Sequence, residues 1–389
     1  MSLLVALLAC FPAAAVQADN APMWESPEGL TPGLPNSRVQ MAGETVRIAV
    51  RETADGVMAD VSADFDMLNP GPDTQMVVGF PSMAWDVLFV NDRDAAYSPV
   101  TFQAIQNFRA QSSLAQYAPA LRKVGGSGPF SNSSWFVWNM LYPGGKPLRV
   151  QVTYQQQLMS FKLYRPDFPA PAAVPVSYVL RTGALWDGPI GSAVITMTAT
   201  DGAGLVPVLP PTQIQDGQLT WSMNNFKPTE DIDAMYVRAA KWPELKAAEA
   251  SAGQQNASAA DLVQSAKTVL GVFVGNPESE FWLSRLANGI NRTPIMTGHY
   301  APLIRGWAER AIQAEPDNPV GWELAGDLDQ AVATEKHGWL TCWPTTAAAE
   351  YQRAAELGSE LAVARLSDMQ SNRDSSVFGG IDDCAASRA

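Results

Sequence analysis

The sequence predicts a multidomain β + α protein: an N-terminal part of one or two antiparallel β-sandwiches, then an all-α segment of helical repeats. Three observations predict this. Between residues 38 and 240 apolar and polar residues alternate with a period of two, in short runs separated by Gly/Pro turns. Near Pro243 the composition shifts to Ala, Glu, Ser and Gln, and the alternation stops. Beyond residue 300 the apolar spacing becomes i, i+3, i+4, the period of a helix. A chain of 389 residues, 47% hydrophobic and 17% charged, has the apolar surface for two or three such domains.

The elements follow in chain order. Residues 3–16 form an apolar run that is too short to span a bilayer and suits the core of a signal peptide. Val16 and Ala18 supply small residues around a cleavage point after Ala18, so 1–18 reads as an export signal, although no Lys or Arg precedes the run. The alternative is a lipoprotein: Leu7-Leu8-Ala9-Cys10 is similar to a lipobox, with Cys10 as the lipidation site. Either way the expected location is periplasmic or extracellular, and no later segment is apolar enough to be a transmembrane helix. Export leaves Cys342 and Cys384, and a disulfide between them is expected, worth about 4 kcal/mol through the loop it closes. Residues 19–37, rich in Pro, Gly and Asn, read as an extended leader.

A β-sandwich domain is expected over 38–240. Val46, Ile48 and Val50 alternate with Thr45, Arg47, Ala49 and Arg51. After a turn at Asp55-Gly56, Val57 to Met67 alternate with Asp60, Ser62, Asp64 and Asp66, which predicts a hairpin with one wet face. Further strands are expected at 75–80, 85–90, 102–108, 136–141, 148–154, 174–180, 193–200 and 219–223. Strand 136–141, apolar on both faces, reads as central.

Residues 241–300 are expected to be a linker and a helical segment. Over 301–370 four stripes predict helices: one from Leu303 to Ile312, one from Leu324 to Val332, one from Ala347 to Ala355 and one from Ala362 to Met369. Arg310-Ala311 and Arg353-Ala354 recur 43 residues apart, which suggests two copies of a helix pair. Residues 371–389 read as a tail.

Several of these runs carry a resemblance. Val46–Val50, Val57–Phe65, Gly79-Phe80-Pro81, Tyr142-Pro143-Gly144, Tyr178-x-Leu180-x-Thr182-Gly183-x-x-Trp186 and Trp221 before Asn225-Phe226-Lys227-Pro228 resemble an uncharacterised family of secreted bacterial proteins, a domain of unknown function. The family implies a secreted β domain and brings no catalytic residues. Ala308–Ile312 with Glu315–Pro319 looks like a tetratricopeptide helix end, and Tyr351–Gly358 with Ala362 and Leu366 resembles the Sel-one-like form. The insert with Trp339, Cys342 and Trp343 departs from both. Such repeats imply protein–protein contacts.

The chemistry is sparse. Lys+Arg is 26 against Asp+Glu 39, a net charge of −13, which makes nucleic acid and anionic membranes poor partners. With only His299 and His337, multi-histidine metal centres are excluded, and no motif implies a metal or a cofactor. No nucleophile elbow or phosphate-binding P-loop is present, and Gly125–Gly128 reads as a loop. His299 reads as a loop or capping residue. Carboxylate pairs at Asp92/Asp94, Asp231/Asp233, Glu278/Glu280 and Asp327/Asp329 read as solvated faces, with a hydrolase as the reading if a pair flanks a cleft. Asp64–Gly71 lacks the spacing of a calcium loop. The aromatic residues Trp135, Trp138, Tyr142 and Trp186 are the ligand-binding candidates. Trp135 and Trp138 lie on opposite strand faces, so one is expected in the core and the other as a platform for a sugar or peptide. The leading expectation is an exported, non-enzymatic cell-envelope protein with a protein partner; the alternatives are a carbohydrate- or peptidoglycan-binding module and a hydrolase.

Overall fold

Alternation with a period of two places every second side chain on one face, and in this chain it builds a mixed sheet of seven strands. The computed structural model describes residues 20–26, 29–32, 38–82, 84–90, 97–103, 105–123, 134–160, 172–273, 299–337 and 345–374. The chain is β-rich up to Tyr236, and the helices fall in the C-terminal part. It divides into two compact units, a β unit that ends at Tyr236 and a helical unit from Val237 onward. Among the described residues no helix is long and apolar enough to cross a membrane.

In the β unit the strands are β1 (Ala21–Ser26), β2 (Gly29–Pro32), β3 (Gln40–Thr53), β4 (Gly56–Leu68), β5 (Thr74–Pro81), β6 (Ala84–Val90), β7 (Tyr97–Gln103), β8 (Ile105–Ser112), β9 (Ala120–Lys123), β10 (Ser134–Tyr142), β11 (Pro147–Ser160), β12 (Ala173–Tyr178), β13 (Ile190–Ala199), β14 (Gly204–Pro207), β15 (Gln213–Gln215), β16 (Gln218–Phe226) and β17 (Ile232–Val237). They form sheets in the orders β15-β16-β13-β3-β4-β11-β8, β2-β1-β5-β10-β9, β12-β17-β14 and β6-β7. The β3–β4 hairpin pairs Val46 with Ala63, Ile48 with Val61 and Val50 with Ala59, all buried on one side of the sheet. One apolar cluster joins this dry face to Met76, Val78, Phe80, Trp138 and Met140 of the five-stranded sheet and to Val176, Tyr178 and Tyr236. Phe108 of β8 stacks on Phe136 of β10 at 4.3 Å between ring centres, a contact that links the two larger sheets.

Three expectations are corrected here. The sheets are not purely antiparallel, because β13 runs parallel to β3, pairing Ile195 with Val46 and Met197 with Ile48. Parallel neighbours need a long crossover, and the chain visits three other sheets between these strands. The segment 102–108 is not one strand: β7 ends at Gln103 and β8 begins at Ile105. The leader 19–37 is not merely extended. Its β1 and β2 form a hairpin, and β1 adds to β5 by pairing Ala21 with Gly79 and Met23 with Val77. Alternate residues Ala21 and Met23 bury against Trp135, Val137 and Leu30, which the turn-rich composition of the segment did not signal.

The helical unit holds α1 (Trp242–Ala252), α2 (Ala259–Phe273), α3 (Ala301–Ala314), α4 (Pro319–His337), α5 (Thr345–Glu356) and α6 (Glu360–Asp374). Residues 241–300, expected as a linker and a helical segment, hold α1 and α2 among the described residues. Ser258 and Asp261 cap α2 reciprocally, with the Asp261 N–H donating to Ser258 Oγ (3.1 Å) and the Ser258 N–H to Asp261 Oδ2 (3.2 Å). Gly358, with φ 94°, ends α5, and Ser359 Oγ accepts from the Ala362 N–H to start α6. Gly326 lets α4 and α5 approach closely, since a Cβ there would lie 2.7 Å from the Tyr351 ring. The signal segment, Cys10, Cys342, Cys384, Trp339, Trp343, Asp92/Asp94, Glu278/Glu280 and Gly125–Gly128 lie outside the described residues.

Candidate functional site

The outward residues of the seven-stranded sheet are polar by alternation, and strand pairing brings them into two repeated rows. Arg47 and Arg51 of β3, Asp60 and Asp64 of β4, Gln151 and Gln155 of β11, and Asn107 and Gln111 of β8 are each four residues apart. In the first row Arg51 Nε donates to Asp60 Oδ2 (2.8 Å), Gln155 Nε2 to Asp60 Oδ1 (2.7 Å), and Asn107 Nδ2 to Gln155 Oε1 (2.7 Å). In the second, Arg47 and Arg149 lie 3.5 and 3.3 Å from Asp64 Oδ2. Gln151 Nε2 there donates to Asp64 Oδ1 (3.1 Å) and Gln111 Nε2 to Gln151 Oε1 (2.7 Å). Four residues of strand separate the rows by roughly 13 Å. The Arg51 hydrogen bond, helped by Gln155 and opposed by partial burial, holds Asp60 below the usual carboxylate range.

Against the first row lies an open concavity of about 700 Å³. Its floor is made of small side chains, Ala49, Ser62, Thr153, Thr196 and Thr198, and its walls of Arg47, Asp60, Asn107, Arg109, Gln155 and Gln218. It crosses six strands, β16 to β8, a span of roughly 24 Å at the usual strand spacing. Asn107 has a left-handed backbone, φ 54°, at a register shift between β8 and β11. Such a bulge turns an additional side chain to the outer face, and Asn tolerates this conformation better than most residues. Arg109, exposed beside Thr153, has no ion pair or hydrogen bond among the described residues.

The sequence-predicted ligand candidates lie elsewhere, and the structure corrects the platform they were expected to form. Trp135, Trp138, Tyr142 and Trp186 are all buried, at 0, 5, 1 and 3% exposure. Trp135 and Trp138 do point to opposite faces of β10, but the β1–β2 hairpin covers Trp135 and the main core takes Trp138. Trp186 donates from Nε1 to the Asn20 carbonyl (2.9 Å), so it anchors the start of β1, and its ring meets Tyr142 edge-on at 5.8 Å. The Tyr142 carbonyl in turn accepts from Asn69 Nδ2 (3.0 Å), which ties the turn after β4 to the end of β10. These rings have no free face with which to stack on a ligand.

No family model and no curated protein matches this chain. Among solved structures, one from Legionella pneumophila, described as a candidate nutrient-binding protein, is 14% identical. The match covers 82% of this chain and 98% of that one, at a TM-score of 0.43. Two structures of leukotriene A4 hydrolase from yeast match at 9 and 7% identity. They cover 53 and 51% of this chain and 30 and 29% of theirs, at TM-scores of 0.29 and 0.28. At these scores the similarity establishes neither a shared fold nor a shared activity.

The described carboxylate pairs are held by structural contacts. Asp231 Oδ2 lies 2.6 Å from Arg181 Nη2, and its Oδ1 accepts from the Leu180 and Arg181 N–H groups. Burial raises the Asp233 carboxyl beside it. Asp327 is buried and accepts from Tyr351 Oη (2.6 Å), while Asp329 pairs with Arg305. Asp64 is occupied by its two arginines and Gln151. His299 is half-buried, its pKa lowered by burial, with its ring edge-on to Tyr300 just ahead of α3. The residues that line the concavity were not singled out from the sequence, although the four-residue spacing of Arg47/Arg51, Asp60/Asp64 and Gln151/Gln155 was visible in it.

Proposed function

We propose that the chain is an exported, non-enzymatic binding protein of the cell envelope, whose helical unit is a short tetratricopeptide- or Sel-one-like repeat that meets a protein partner. The supporting observation is the equivalence of the two helix pairs. Positions 43 residues apart, Ile304 and Ala347, Ala308 and Tyr351, Ala311 and Ala354, are buried in α3 and α5 alike. Each helix from α3 to α6 packs on its neighbour in sequence, as repeat arrays do. Leu303 and Val363 stand exposed on this unit, at 43 and 55%. In a pull-down from envelope extract, the chain 19–389 should retain a defined protein, and the Leu303→Arg/Val363→Arg variant should lose it. Equal retention by both would count against a contact through these helices.

A second reading, a glycan-binding β-sandwich, is favoured by the polar concavity of the seven-stranded sheet. Main-chain pairing fixes its walls, and the amide rows fix its side chains before any ligand arrives. A pre-set array of amides, hydroxyls and guanidinium groups suits a hydrated, hydroxyl-rich ligand. On this reading the sugar site moves from the buried tryptophans to Asn107, Arg109, Thr153 and Gln155.

A further inference from the structure

We infer that the concavity across the seven-stranded sheet is a binding trough for a linear acidic oligosaccharide, with Arg109 as the anchor for its carboxylate. The inference rests on the glycan reading above and names the class of glycan. Its shape comes first. The trough is open and runs across six strands, so it fits a chain lying across the sheet better than a compact molecule that would need enclosure. Its lining comes second. Ser62 and Thr153 lie opposite each other on the floor, Arg47 stands between Ser62 and Thr196 in the same register, and Asn107 and Gln155 present amides beside them. A peptide laid on this face would find no apolar pocket for its side chains among the lining groups.

Charge settles the acidic class. The one carboxylate among the lining residues, Asp60, is already neutralised by Arg51. Arg47 leans toward Asp64 at 3.5 Å, which leaves Arg109 without a counter-ion among the described residues of a chain whose net charge is −13. A planar guanidinium with free donors pairs bidentately with a carboxylate. The bulge at Asn107 adds to the polar lining of the trough. A non-glycine residue held at φ 54° sets an amide, locked to Gln155, two residues from Arg109 on the same face.

Calorimetric titration of the full chain with oligogalacturonate, with a dextran oligomer of the same length and with poly-glutamate tests this. Oligogalacturonate should bind, more weakly as salt rises, and at least tenfold more tightly than dextran or poly-glutamate. Arg109→Gln should weaken it at least tenfold, and Arg122→Gln, an equal charge change on β9, should leave it unchanged. Poly-glutamate binding as tightly as the uronate, or equal losses in both variants, would reduce the effect to general charge attraction and overturn the proposal. Dextran binding that falls with Gln155→Ala but not with Arg109→Gln would overturn the acidic class and keep the glycan reading. Binding of none of the three would overturn both, and the pull-down result would stand by itself.

Discussion

Glu44 gives the sharpest test of the β unit. It sits on β3, only 3% exposed, accepts a hydrogen bond from the Tyr178 hydroxyl at Oε1, and has no hydrogen-bond partner at Oε2 among the described residues. Burial raises its pKa from 4.5 to about 7, against the opposing effect of the Tyr178 bond. The same burial, with the Glu44 charge, pushes the neighbouring Tyr154 hydroxyl well up. The sign follows from proton counting. Below pH 4.5 the carboxyl is neutral in both states and its contribution to stability is whole. Between pH 4.5 and about 7 the unfolded chain releases the proton while the folded chain keeps it, so stability falls as pH rises. Above about pH 7 both are ionised and the loss is complete. At about 1.4 kcal/mol per tenfold change in proton affinity, this loss comes to roughly 3 kcal/mol. Glu44→Gln keeps an acceptor for Tyr178 but cannot ionise, and its amide N–H is left without an acceptor at a cost of about 1–3 kcal/mol. The variant should therefore be less stable than the parent at pH 4 and should close or reverse the gap by pH 8.5. Urea unfolding followed by tryptophan fluorescence at half-unit pH steps measures this. Parallel stability–pH curves for the two proteins would refute the burial of an ionisable Glu44.

Other outcomes follow from the same contacts. Gly79→Ala would set a Cβ 2.9 Å from the Trp135 ring and 2.8 Å from Met23, so it should cost about 1–3 kcal/mol and loosen β1 from β5, read by hydrogen exchange of 21–23. Tyr351→Phe removes the donor to Asp327, whose pKa burial already raises to about 6. Its cost, about 1–3 kcal/mol, should be small below pH 5 and grow as pH rises through 6 and above, because only the ionised carboxylate needs the donor strongly; a pH-independent loss would contradict this. Expression in a Gram-negative host followed by intact-mass analysis should give a chain starting at Asp19 with no free thiol, and an acylated Cys10 as the first residue would establish the lipoprotein alternative instead.

Period and composition made the class of each stretch legible. The alternation of Val46–Val50 and Val57–Met67 dictated a hairpin with a wet face, because side chains on a strand must alternate whatever the rest of the chain does. The i, i+3, i+4 stripes around Ile304, Leu328 and Tyr351 dictated helices for the same local reason, and the two turns at 316–319 and 358 ended them. What only the tertiary structure decided is which strands become neighbours and what covers each face. Trp186 reaches Asn20 across 166 residues, and the β1–β2 hairpin buries Trp135 while the main core buries Trp138, so neither is the platform expected of one of them. Asp60 meets Gln155 across 95 residues, and the parallel seat of β13 beside β3 brings Thr196 and Thr198 to the same trough. Pairing of distant strands is fixed by the complementarity of whole faces and by register, neither of which is a property of a local window of sequence.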